Sequence, residues 1–282
     1  MAVASCRRSL TKGAAVAIRR YSTDVAAEII TIASLKGGVG KTTTTYALAA
    51  AGASSGLRVI AIDLDPTGGL SNALEKSKRT ITIADVLHNR VSLHDALVDH
   101  PIGIQTVPGH RSLNHEALPE AQLRALIGPV LDDVDVILID THPHEPSLLG
   151  PMAVADRIVI PTALDLLSLR AAALTVGLAE QLAVLERIRG IVVSNAKRPL
   201  SRITESLLNG LVVSGLAFET VLWFSSGWVV ATSGKGELPD PVLLDDARRL
   251  LHEVATRPVP AVALRQFIAM AQGRRPAAPV SA

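Results

Sequence analysis

Short apolar runs rich in Val and Ile alternate along the chain with longer stretches in which Ala and Leu recur at helical spacing. The runs are Glu28–Ala33, Arg58–Pro66, Ile102–Gly109, Val134–Pro143, Asp156–Thr162 and Gly190–Asn195. Their apolar bodies are too short for typical helices, and several close on Asp, Pro or Gly. Between them, Thr43–Ala51, Ile83–Leu87, Ser92–Leu97, Glu116–Ile127, Leu167–Arg187, Pro241–Thr256 and Ala261–Gln272 read as helices, with Gly56 as the C-cap of the first. Buried-looking strands alternating with helices predict an α/β fold, a mostly parallel sheet covered on its faces.

Composition sharpens that picture. The chain has 282 residues, 48% of them apolar but only 2% aromatic. A sizeable core must therefore be packed from Ala, Val, Leu and Ile, which favours parallel strands under helices over an aromatic-rich sandwich. The net charge of +2 permits contact with DNA or anionic lipid without demanding it. Cys6 is the single cysteine, so no disulfide framework or thiolate-ligated cluster can form within one chain. No apolar run approaches the length of a membrane span, and the expectation is a soluble or at most peripheral protein. Residues 1–26 are expected to be a disordered basic arm. Up to Thr23 it holds Arg, Lys and Ser with no acidic residue, a composition shared with mitochondrial presequences, which stand as the alternative.

The chemistry concentrates in Ala33–Thr43, where the first strand passes into the first helix. Glycines at 37, 38 and 40 let the backbone adopt positive φ and turn consecutive N–H groups toward one anion, to which the new helix adds its positive end. Lys41 can then reach β- and γ-phosphates, and the Thr42 hydroxyl can ligate Mg²⁺. The common phosphate-loop spacing wants glycine where this chain has Leu35, and Lys36 follows at once. With that second lysine the motif resembles K-G-G-x-G-K-[ST], the deviant Walker A loop of the ParA/MinD family of P-loop ATPases.

The resemblance covers roughly residues 27–257 and implies a doubly wound sheet of roughly seven or eight strands with ATP and Mg²⁺ along its carboxyl edge. It implies that Lys36, Gly37, Gly38, Val39, Gly40, Lys41, Thr42 and Thr43 cradle the phosphates, and that Lys36 crosses a dimer interface to the partner's nucleotide. Asp63-Leu64-Asp65-Pro66 is similar to the family's D-x-D-P, although Thr67-Gly68-Gly69 departs from the usual Gln-Gly. Asp65 would orient or activate the attacking water, and Asp63 would sit in the magnesium shell. Asp140 matches the D-x-x-P of Walker B and would hold a magnesium-bound water, with His142 in place of the usual proline. Asn195 would read the adenine ring. Lys36, Lys41 and Asp65 are thus the expected catalytic residues, and Thr42, Asp63 and Asp140 the expected metal set. The iron–sulfur relatives of the class need cysteines that this chain lacks.

Toward the C-terminus the resemblance thins. An Ile-Pro-Arg stretch that contacts the base in the family is replaced by Thr220–Val230, which holds both tryptophans and is expected to be buried. Candidates for a basic face are Arg187, Arg189, Lys197, Arg198, Arg202, Arg248 and Arg249. His94, His100, His110 and His115 lack metal-ligand spacing and read as surface residues, and His142 and His144 as exposed loop residues. Residues 258–282 form a last helix and a Pro/Ala-rich tail. MinD-like proteins use such a helix on membranes, but its few cations favour docking on the domain. The functional expectation is an ATP-dependent dimeric ATPase of ParA type. It would bind DNA non-specifically in the ATP state, respond to a ParB-like activator and act in plasmid or chromosome partitioning, in the cytoplasm at the nucleoid. A MinD-like membrane-associated regulator is the alternative.

Overall fold

The computed structural model describes residues 27–74, 81–113, 117–233 and 238–272. The basic arm with Cys6, His115 and the Pro/Ala-rich tail lie outside the described residues. Eight strands form one sheet: β1 (Glu28–Ile32), β2 (Val59–Asp63), β3 (Val98–His100), β4 (Ile104–Val107), β5 (Val136–Asp140), β6 (Arg157–Thr162), β7 (Ile188–Ala196) and β8 (Leu222–Trp223). Their order across the sheet is β3-β4-β2-β5-β1-β6-β7-β8, and every pairing is parallel except the edge pair β3–β4. The helices are α1 (Lys41–Ser54), α2 (Gly69–Leu74), α3 (Ile83–Leu87), α4 (Leu93–Ala96), α5 (Glu120–Ile127), α6 (Glu145–Val154), α7 (Leu166–Gln181), α8 (Arg202–Val213), α9 (Ser226–Ala231), α10 (Pro241–Thr256) and α11 (Ala261–Ala271).

Central strands are buried on both sides, and alternate residues serve different layers. Ile30, Ile32, Val59, Ala61 and Leu138 pack under α1 and α10. Ile29, Ile60, Ile62, Ile137 and Ile139 face α3 and α5. Ile158, Ile160, Ile191 and Val193 lie against α7 and α11. This two-sided burial is why the strands read as continuous apolar runs. Because β1 sits between β5 and β6, the chain departs from β1 at the place where strand order changes direction, and a crevice opens at its carboxyl end.

At the opposite edge of the sheet, Arg157 is 3% exposed. Its guanidinium donates to the carbonyls of Val254 and Ala255 at the end of α10 and to the Glu28 carboxylate at the start of β1. A cation there satisfies carbonyls that the last helical turn leaves open.

Several elements differ from the sequence expectation. The helix expected over Leu167–Arg187 ends at Gln181, because Ala183 turns left-handed at φ 57° and the Val184 N–H closes back on the Ala179 carbonyl. The expected surface residue His100 is 5% exposed, its ring turned in at the end of β3. Helices α6 and α8 and the short strands β3 and β8 were not foreseen. The segment expected as a docked final helix does dock: α11 buries Leu264, Phe267 and Ile268, and Arg265 Nε donates to Glu180 Oε1 of α7 at 2.9 Å. Among the described residues no helix is long and apolar enough to cross a membrane.

Phe267 is 6% exposed at that junction. Phe267→Ala is expected to remove about 3–5 kcal/mol of stability through lost burial and an unfilled cavity, read as a lower urea midpoint with unchanged slope.

Candidate functional site

Strand β1 runs out at Ile32, and the chain turns through Ser34–Gly40 before α1 begins at Lys41. Gly38 and Gly40 take φ of 74° and 86°. Any side chain at Gly40 would also collide with the Ser194 hydroxyl, which donates to the Val39 carbonyl and ties the loop to β7. No side chain caps the N-terminus of α1, and no acidic residue lies in its first turn. Its backbone N–H groups and positive dipole end are thus available to an anion.

The loop borders a cavity of about 450 Å³. Gly37, Gly38, Gly40, Lys41, Thr42 and Thr43 form one wall, and Asp65, Thr67, His142, Pro143, Ser194 and Asn195 contribute to the others. Of the expected cradle, Lys36 and Val39 stand outside this lining. Val39 is buried and acts through its carbonyl. Lys36 Nζ lies over the start of α7, 3.2 Å from Asp165 Oδ1 and 2.7 Å from Ser168 Oγ. The Asp165 carboxyl is held below its ordinary range, first by the Ser168 hydroxyl and then also by Lys36.

Lys41 is 6% exposed and donates to the Lys36 carbonyl at 3.2 Å, closing the loop on itself. Burial lowers its pKa, and the charges of Asp140 and Asp65 pull the other way. Thr42 Oγ1 donates to Asp140 Oδ2 at 2.7 Å, and Thr45 Oγ1 to Asp140 Oδ1 at 3.3 Å. Register explains the neighbouring carboxylates, since Asp63 and Asp140 are partners at the ends of β2 and β5.

Asp63, however, does not border the cavity. It accepts hydrogen bonds from the Asp65 N–H at 3.0 Å, the Ser71 N–H at 2.8 Å and the Ser71 hydroxyl at 2.6 Å. Asp65 does border it, held by Thr67 Oγ1 at 2.7 Å, the Thr67 N–H at 2.9 Å and His142 Nδ1 at 3.3 Å. His142 is therefore no exposed loop residue: its side chain is 19% exposed because the ring leans on Asp65. Asn195 takes a left-handed φ of 58° beside a register shift in β7, which turns this residue out of the ladder at the cavity wall.

The donor set fits magnesium. Thr42 and Asp140 offer only hard oxygens, and among the described residues no cluster of three His, Cys, Asp or Glu could cage a metal unaided. That suits an ion that keeps waters and shares phosphate oxygens. Burial, reinforced by the charge of Asp63, pushes the Asp140 pKa up to about 7. Burial likewise pushes Asp63 up to about 6, against the opposing hydrogen bonds from Ser71 and Asp65. A nearby cation would offset that unfavourable desolvation.

Sequence reasoning missed Ser194, Thr67, Ser71 and the Asp165–Ser168 pair. The last had a signal, because an Asp three residues before a Ser at a helix start is a capping pattern, and Asp165 Oδ1 does accept from the Ser168 N–H at 2.9 Å. Three of the seven residues expected on a basic face are engaged within the domain. Arg187 is spent on the carbonyls of Ala153 and Ala155, Arg248 lies 3.5 Å from Asp245, and Arg249 lies 3.7 Å from Asp246. Expected burial of the tryptophan segment holds for Trp228 but not for half-buried Trp223 or for Phe224, which is 52% exposed.

Because both carboxylates titrate higher in the folded protein than the ordinary 3.8, the folded state holds protons that the unfolded chain releases. Their contribution is fullest below about pH 4 and is lost as the pH rises through about 6 and 7. Urea unfolding of the ligand-free protein across this range is expected to show falling stability, and Asp140→Asn to flatten the fall and exceed wild type near neutral pH.

Comparison with known proteins agrees with this geometry. A family model described as an AAA domain matches residues 27–189, more than half of the chain. An uncharacterized protein of Mycobacterium tuberculosis is 32% identical over 221 residues, which cover 70% of this chain and 67% of that protein. The chromosome partitioning protein ParA of Caulobacter vibrioides is 31% identical over 175 residues, 57% of this chain and 63% of that one. A plasmid partition protein from Borrelia burgdorferi, solved with AMPPNP, matches at a TM-score of 0.69 and 18% identity over 80% of this chain and 98% of its own, which speaks for the fold alone. With the deviant phosphate loop, the parallel sheet and the matched AAA model together, the chain belongs to the P-loop ATPases of ParA/MinD type.

Proposed function

We propose that the chain is a magnesium-dependent ATP hydrolase that closes into a homodimer on ATP and reopens on hydrolysis. The observation that carries this reading is the meeting of Lys41, Thr42 and Asp65 around one cavity at the carboxyl edge of the sheet, with the buried Asp140 directly behind Thr42. Loop N–H groups and the start of α1 take the phosphates, and Lys41 neutralises charge on the β- and γ-oxygens from a buried position. Thr42 and Asp140 are the residues that would hold Mg²⁺. Held there, the ion would supply charge neutralisation for the phosphate oxygens. Asp65, fixed by Thr67 and His142, orients the attacking water toward the γ-phosphorus. Asp63 acts one step back by holding the Asp65 backbone.

Lys36 gives the dimer its cost and its trigger. In the single chain it rests on Asp165 and Ser168, and reaching a partner's nucleotide means leaving them. Both members of the ion pair are partly exposed, 33% and 50%, so the contact is worth less than about 1 kcal/mol and is readily given up. Phosphoryl transfer depends mostly on positioning and charge, so a site short of this lysine is slow until two protomers meet.

Similarity to partitioning proteins supports a role in moving DNA or another cargo, with a ParB-like activator and non-specific DNA as partners in the nucleoid region of the cytoplasm. The membrane-regulator alternative is the weaker reading. Leu264, Phe267 and Ile268, the apolar face that would enter a lipid surface, are already packed on the domain.

Size exclusion with ATP, ADP or neither, with and without DNA, tests the scheme. A dimer confined to the ATP samples is expected, and an unchanging monomer would overturn it. Asp65→Ala is expected to lower kcat about 10²- to 10⁴-fold with KM little changed, and to prolong the ATP dimer on the same column. Asp165→Ala releases Lys36 and is expected to shift ATP-dependent dimerisation to a severalfold lower protein concentration in analytical ultracentrifugation.

A further inference from the structure

Thr67 and His142 are positions at which the chain departs from motifs it otherwise matches, with Thr where the family pattern has Gln and His where it has Pro. The fold brings both to a single oxygen atom. Asp65 Oδ1 accepts from the Thr67 N–H at 2.9 Å, from Thr67 Oγ1 at 2.7 Å and from His142 Nδ1 at 3.3 Å. Among the described residues none donates to Oδ2. Asp65, Thr67 and His142 all border the phosphate-loop cavity, and the Asp65 side chain keeps 11% exposure there.

The donors do different work. The last torsion of an Asp side chain is broad and two-fold, so its oxygens exchange places unless one of them is tied. Thr67 ties Oδ1 from within the turn that follows β2, and would travel with Asp65 if that turn shifted. His142 reaches the same oxygen from the segment after β5, 77 positions away, and so fixes the turn against the neighbouring strand. A carboxylate oxygen only accepts, so the ring carries its hydrogen on Nδ1, which a neutral imidazole allows. A proline at 142 would have no such hydrogen to offer. With Oδ1 loaded three times, the accepting capacity left to the carboxylate lies on Oδ2, and the group stands close enough to Lys41 to bias its charge.

We propose that Thr67 and His142 form a matched pair of positioning residues for hydrolysis: together they lock Asp65 Oδ1, and Oδ2 is the oxygen that holds the attacking water. This rests on the hydrolase reading given above and adds which oxygen acts and what aims it. Neither member suffices alone. Without the Thr67 hydroxyl the carboxylate regains rotation, and without His142 the whole turn is free to drift from the strand that carries Asp140. Misplacing a reacting group by about 1 Å is enough to cost about 10²-fold in rate, so the pair acts on turnover while leaving the phosphate contacts of the loop and Lys41 as they are.

The test is steady-state hydrolysis of magnesium-ATP by the full chain, set beside its calorimetric affinity for ATP. His142→Ala and Thr67→Val are each expected to lower kcat about 10- to 100-fold while KM and ATP affinity change by less than about threefold. His142→Asn, whose amide nitrogen stands about where Nδ1 does, is expected to keep kcat within about threefold of wild type, and His142→Gln, one bond longer, to lose as much as His142→Ala. In an Asp65→Ala background neither His142→Ala nor Thr67→Val costs anything further, because the group they aim is gone. Wild-type kcat in His142→Ala, a loss of ATP affinity as large as the loss of kcat, equal behaviour of the Asn and Gln variants, or a further loss in the Asp65→Ala background would overturn the pair and leave the hydrolase reading standing. An Asp65→Ala chain that turns over ATP at the wild-type rate, or a wild type that releases no phosphate, would overturn that reading and the pair with it.

Discussion

Asp63 and Asp140 end adjoining strands with no exposure to water, and Lys41 is buried close enough for Asp140 to bias its charge. Removing so many ionisable groups from water is unfavourable, and hydrogen bonds from Ser71, Thr42 and Thr45 only partly compensate. The rest of the site follows from that constraint. A phosphate chain with its cation, as proposed, would bring the opposite charges to both sides of the arrangement and relieve an electrostatic strain that folding leaves in place. Function is here stored as instability, in the manner of sites that trade fold stability for a ligand.

That trade also shapes the loop. Gly40 cannot carry a side chain because Ser194 stands against it, and Ser194 in turn holds the Val39 carbonyl. Strand β7 therefore fixes the phosphate loop from the side while β1 feeds it from below. Asp65 is set with similar care by Thr67 and His142, which share the cavity wall with it, and by Asp63, which stands outside the cavity and accepts from the Asp65 N–H.

Much of this was legible in the chain because the central strands are covered on both faces and the loop chemistry is local. Ile29–Ile32, Val59–Ile62 and Ile137–Ile139 announce themselves as apolar runs, and Gly37–Thr42 carries its purpose in consecutive residues. What was hidden depends on neighbours distant in sequence. Helix α6 contains Gly150 and Pro151, which local rules count against a helix, yet Gly150 is where the Leu118 carbonyl leaves no room for a side chain. His142 looked like a loose loop residue because its partner Asp65 is 77 positions away. Asp63 matched a metal motif, and only the fold shows that Ser71 has claimed its carboxylate.

Arg157 sits at the far edge of the sheet from the cavity, where it fastens the first residue of β1 to the final turn of α10. Three elements, β6, β1 and α10, are thereby riveted together at the amino edge of the sheet, opposite the phosphate loop. A domain that closed and reopened at its carboxyl rim, as proposed, would have this buried ion pair and its helix end as a fixed floor to work against.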